Sequence, residues 1–268
     1  MTGSSRDTLK RLGIETWTLR TPRGAGSAGP AAAPATMPSP AVTAEPAVAS
    51  TMPASADRAP AVVAAAAVRP AAPERGADDA VPADWAGLQA AVAGCTRCSL
   101  CETRTQTVFG VGGQSAPLMV VGEGPGADED AQGEPFVGRA GKLLDQMLAA
   151  IGHSRQDNVF IANVVKCRPP GNRDPAPAEA EACRPYLEQQ IALVRPKLIV
   201  ALGRVAAQRL LATDEALARL RGPLHHYGPL QIPLMITYHP AYLLRSPREK
   251  AKSWEDLKKV HRFLNGIA

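Results

Sequence analysis

Three cysteines stand at three-residue intervals in CTRCSLC (Cys95, Cys98 and Cys101), and two more follow singly, Cys167 and Cys183. Thiols so placed bind metals or exchange electrons, and a C-x2-C pair opens either kind of site. A structural zinc site usually draws two close pairs, whereas this chain has one close group and two singles with 15 residues between them. Such spacing suits an iron–sulfur cluster as well as zinc and does not separate the two. A thioredoxin-like pair would leave the other cysteines without a role.

Three more stretches place polar or flexible residues where chemistry is done. GEGPGADED (122–130) is a glycine-rich turn after an apolar run. It lacks the G-x-G-x-x-G spacing of dinucleotide sites and the G-K-S/T of P-loops, so alone it reads as a tight connection or a phosphate cradle. Asn163 closes the apolar run VFIAN, where an amide is costly unless it is paired. Its side chain offers a donor and an acceptor together. His239 lies between the apolar run LMITY and Pro240.

The elements that must position these residues follow from the apolar pattern. Runs at 117–124, 158–166 and 197–203 read as strands, with a hairpin-like pair and a last strand from LHHYG to LQIPLMITYHP. Helices are expected over DWAGLQAAVAG, AGKLLDQMLAAIG (140–152), PAEAEACRPYLEQQIALV (177–194), RVAAQRLLA and PREKAKSWEDLKKVHRFLNG. Pro185 is expected to kink the third of these or split it. Short apolar strands alternating with helices predict a three-layer α/β/α fold around a mostly parallel sheet. Ligands in such folds sit beyond the C-terminal strand ends, which carry GEGPG, Asn163 with KCRPPGN, LGR and HPAYLLR.

Composition frames this domain. Of the 60 residues 24–83, 23 are Ala and 10 are Pro, and none is Phe, Trp or Tyr, too little to bury to offset the cost of ordering them. A disordered Ala/Pro-rich linker is therefore expected over 22–83, between a short amphipathic segment (1–21) and a globular domain (84–268). The apolar run AVVAAAAV is too short for a membrane span, and the N-terminus lacks the apolar core of a signal peptide. A reducing cytoplasm is the default compartment, where clustered thiols favour metals over disulfides. The net charge of +5 is compatible with nucleic acid without establishing it.

Taken together, CTRC, VVGEGPGADEDAQGEPFVGRAGKLLD, IANVVKCRPPGNRDP, Cys183 and YHPAYLLR resemble the family 4, iron–sulfur type, uracil-DNA glycosylases. The resemblance runs from about Trp85 to Phe263. It implies a uracil-DNA glycosylase-like fold and a DNA-repair hydrolase that excises uracil from single- or double-stranded DNA, acting as a monomer. It also implies a 4Fe–4S cluster held by Cys95, Cys98, Cys167 and Cys183, with Cys101 as the spare. The alternatives are a related glycosylase with another base preference, or a non-catalytic iron–sulfur DNA-binding protein on the same fold.

By the same resemblance, Gly122, Glu123, Gly124, Pro125 and Gly126 line the pocket floor and Phe136 stacks on the extruded base. Asn163 reads its edge, and His239 donates a hydrogen bond to uracil O2. Glu129 is the expected water-positioning carboxylate, with Glu123 a second candidate. Leu243 is expected to wedge into the base stack, and Arg245, Arg168 and Lys142 to contact phosphates. His225 and His226 have no assigned role. Residues 7–17 are expected to form a tethered docking peptide for a replication or repair partner.

Overall fold

The three uninterrupted apolar runs become the three central strands. In the computed structural model, which describes residues 81–267, these are β2 (Leu118–Gly122), β3 (Val159–Asn163) and β4 (Leu198–Leu202), buried at every position. The expected N-terminal segment and the linker up to residue 80 lie outside the described residues. A short β1 (Val111–Gly112), β5 (His225–Tyr227) and β6 (Ile232–Thr237) complete a six-stranded sheet of order β1-β3-β2-β4-β6-β5. The inner four strands are parallel, and β1 and β5 are antiparallel edges.

Alternate residues of each central strand serve opposite faces, because side chains in a strand repeat with period two. Met119, Val121, Phe160, Ala162, Ile199 and Ala201 join one core. It is covered by α1 (Trp85–Ala93), by α5 (Pro177–Val194) and by α6 (Gly203–Leu211), and a short α2 (Leu100–Thr103) lies between α1 and β1 in the chain. Leu118, Val120, Val159, Ile161, Leu198 and Val200 join the other core. That face is covered by α4 (Arg139–Ala149), α8 (Pro240–Arg245) and α9 (Lys250–Leu264), while α3 (Ala127–Gln132) and α7 (Leu217–Leu220) are short connectors. Each large aliphatic side chain buried this way contributes about 1.5–3 kcal/mol. The expected three-layer α/β/α fold is the one observed.

The ends of β2, β3 and β4 turn at once into functional segments. β4 passes straight into α6 at Gly203, whose φ of +85° no side chain would favour, and a Cβ there would lie 3.0 Å from that of His239. Pro185 does not split α5, which runs unbroken for 18 residues. Pro185 itself is buried beside Tyr186 and Leu187, so tertiary packing outweighs the lost backbone bond. Among the described residues no helix is long and apolar enough to cross a membrane.

Candidate active site and thiol centre

Gly122, Asn163 and Phe136 converge where β2 and β3 end in register, Gly122 opposite Asn163. A Cβ at Gly122 would collide with Asn163 Oδ1 and stand 2.6 Å from Phe136 Cζ, so only glycine leaves room there. Asn163 is 2% exposed, and its Oδ1 has no hydrogen-bond partner. A buried amide oxygen left unpaired costs about 1–3 kcal/mol, which a ligand donor would recover.

Phe136 is held in a conformation that a bulky residue rarely adopts, φ +56°. Arg155 imposes it, donating to the carbonyls of Pro135 (2.9 Å) and Phe136 (2.8 Å) while pairing with Asp145 (2.8 Å) and Glu134 (3.1 Å). On the far side Gly141 leaves the space that the Phe136 carbonyl fills. The resulting ring lies 5.5 Å from that of His239, centroid to centroid.

His239 caps α8. Its Nδ1 accepts from the Ala241 amide at 3.2 Å, so in the neutral ring the proton sits on Nε2, free to donate. Burial, reinforced by Arg245 and opposed by Glu129, pulls its pKa down to about 4, which keeps the imidazole neutral at pH 7.

The two carboxylates play different parts. Glu129 Oε2 accepts from Gly126 (3.0 Å), and Oε1 accepts from Val137 (3.0 Å) and Gly138 (3.2 Å). The last two bonds tie it to the loop that carries Phe136, and the first closes the N-terminus of its own helix, α3. Glu123, half-buried at the end of β2, hydrogen-bonds Asp174, which is itself paired with Arg204 at the start of α6. Burial first, then the neighbouring Asp174 charge, raises Glu123 to about 7, and Arg204 opposes the shift.

Leu243 does not stand where a wedge would have to stand. It is 1% exposed and packs in the core that holds Phe136, Leu144 and Leu202, so it is not available to enter a base stack. Pro240–Arg245 is the helix α8, and Leu243 falls on its inner face. The exposed members are Tyr242 and Arg245. Lys142 is exposed on α4, and Arg168 is half-buried with Nε donating to Asn172 Oδ1 at 2.7 Å.

All four expected ligand cysteines line one cleft, and Cys101 lines it too. Burial raises the thiols of Cys98 and Cys167, and that of Cys183 to about 12. Thiols so reluctant to ionise need cations beside them. Arg97, Arg104 and Lys166 line the same cleft, with Arg104 Nη1 3.1 Å from Cys167 Sγ and the Lys166 amide 3.2 Å from Cys183 Sγ. Among the described residues no three Cys, His, Asp or Glu side chains converge on one ion. Four thiols around a common space, with N–H donors aimed at sulfur, form a donor set of the kind that holds either zinc or an iron–sulfur cluster.

Several contributors carry no signal in sequence. Lys166, 1% exposed, donates to the Asn163 carbonyl (2.8 Å) and to Gln190 Oε1 (2.6 Å), and Gln190 donates to the Phe109 carbonyl (2.9 Å). These bonds join β3 to α5, which bears Cys183. Arg155 and Asp174 likewise act from loops whose contacts only the folded chain reveals. His225 is satisfied, with Nε2 2.7 Å from the Leu220 carbonyl.

Residues 109–258 match the Uracil DNA glycosylase superfamily. The chain is 45% identical over 173 residues to the Type-4 uracil-DNA glycosylase of Archaeoglobus fulgidus, covering 62% of this chain and 86% of that relative. It is 44% identical over 175 residues to the Type-4 enzyme of Sulfurisphaera tokodaii (63% and 80%) and 43% over 180 residues to that of Pyrobaculum aerophilum (65% and 91%).

Proposed function

The chain belongs to the uracil-DNA glycosylase superfamily, and from that premise we propose that it hydrolyses the N-glycosidic bond of uracil in single- or double-stranded DNA, leaving an abasic site for base excision repair. The uracil nucleotide leaves the base stack and enters the pocket floored by Gly122, Gly124, Pro125 and Gly126. Its ring lies on Phe136, and the Asn163 amide meets O4 and N3–H. As the bond between C1′ and N1 breaks, its electron pair passes to the base, and His239 Nε2–H donates to the charge developing on O2. A neutral imidazole serves, so the step needs no proton from it. Water bonds to C1′ and yields its proton to Glu123, whose pKa near 7 suits that task, while Glu129 holds the Phe136 loop.

Cys95, Cys98, Cys167 and Cys183 would hold a 4Fe–4S cluster, which when bound supplies cross-links between the segment after α1, the loop after β3 and α5. Arg245, Arg168 and Lys142 would contact phosphates. The same reading takes uracil-containing DNA as the partner, a monomer as the working form and the cytoplasm as the compartment. Residues 1–21 would be a docking segment for a replication or repair protein.

One observation carries this reading: the buried, unpartnered Asn163 Oδ1 between Gly122 and Phe136. Asn163→Ala is expected to lower kcat/KM on a uracil oligonucleotide by about a hundredfold or more. Its melting temperature should stay within a few degrees of that of the parent. An unchanged kcat/KM would contradict the assignment.

A further inference from the structure

Tyr242 is 36% exposed on the first turn of α8, its amide donating to the His239 carbonyl at 2.9 Å. Its ring rests on that of Tyr238, with centroids 5.1 Å apart and planes tilted by 36°. Tyr238 lies in turn under the Arg221 guanidinium, 4.8 Å from its centroid. Arg221 is fixed by Asp256 Oδ2 (2.6 Å) and the Lys252 carbonyl (3.3 Å), and Asp256 also accepts from Thr237 Oγ1 at the end of β6 (2.9 Å). The three groups form a stack anchored in β6 and α9, with Tyr242 outermost. Arg245, exposed on the same helix, adds a cation one turn on.

A ring with a rigid backing and solvent access is the form that nucleic-acid stacking platforms take, because every base presents a π-face. We propose that Tyr242 is a DNA-stacking residue that receives a base flanking the extruded uracil, a part that the buried Leu243 cannot play. The proposal rests on uracil excision as the function. Tyr242 sets binding rather than bond breaking, since His239, Asn163 and Phe136 meet the uracil itself.

The test uses the full chain and an oligonucleotide with 2-aminopurine beside a non-hydrolysable 2′-fluoro-deoxyuridine. Tyr242→Ala and Tyr242→Leu are expected to weaken binding about 5- to 150-fold and to abolish the change in 2-aminopurine fluorescence on binding. Tyr242→Phe should keep both within about twofold of the parent, whereas on cleavable substrate the alanine and leucine variants should raise KM far more than they lower kcat. Tyr242→Leu keeps apolar bulk over Tyr238, so a folding defect in the alanine variant leaves the test intact. Parent-like binding and fluorescence in Tyr242→Leu would overturn the proposal. Failure of the parent chain to excise uracil would overturn the proposed function, and this inference with it.

Discussion

Phe136 shows how the site is assembled residue by residue. Its left-handed backbone costs about 1–3 kcal/mol and persists because Arg155, Glu129 and the gap at Gly141 all impose it. The residues proposed to meet the base are marked in the sequence, since each closes an apolar strand or follows a glycine-rich turn. Arg155 and Asp174 are not, because neither stands near its partner along the chain. The Glu123–Asp174 pair sets a pH dependence. A carboxyl raised to about 7 by folding favours the protonated state, so its stabilising contribution is complete below its ordinary range near 4.5 and is lost as pH rises through 7. Activity runs the other way: a base must be ionised, so kcat/KM should rise through about pH 7. Asp174→Asn removes the neighbouring charge, and the acid limb of the pH–rate profile is expected to move to lower pH. A limb that stays in place would show that Glu123 is not the base.

At the scale of elements, continuous apolar runs made β2, β3 and β4 legible, since strands buried on both faces show no alternation. The two-residue β1 was illegible because it is too short for any period, its place fixed by pairing with Ile161 and Phe160. The wedge expected at Leu243 fails for a different reason: Pro240–Arg245 is a helical turn, and helical spacing carries Leu243 inward and Tyr242 outward. At the thiol centre the five cysteines come from different elements. Cys167 and Cys183 come from the β3 loop and α5, and Cys95 and Cys98 from the turn after α1; Cys101 sits in α2. Cys101→Ser is expected to keep the brown colour and iron content of anaerobically purified protein, and Cys98→Ser to lose both. Iron retained by Cys98→Ser, or lost from Cys101→Ser, would reassign the ligand set.

Across the whole molecule, every residue placed in chemistry lies between Cys95 and Arg245, within the described part of the chain. Deleting residues 1–80 is therefore expected to leave excision from a short oligonucleotide within about twofold, and a large loss would refute a tethering role. Uracil excision itself is the activity on which these roles depend. Cluster-loaded protein incubated with an end-labelled oligonucleotide bearing one uracil should leave an alkali-labile abasic site at that position and none where thymine or cytosine replaces it. An intact strand after alkali, with iron content confirmed, would contradict it.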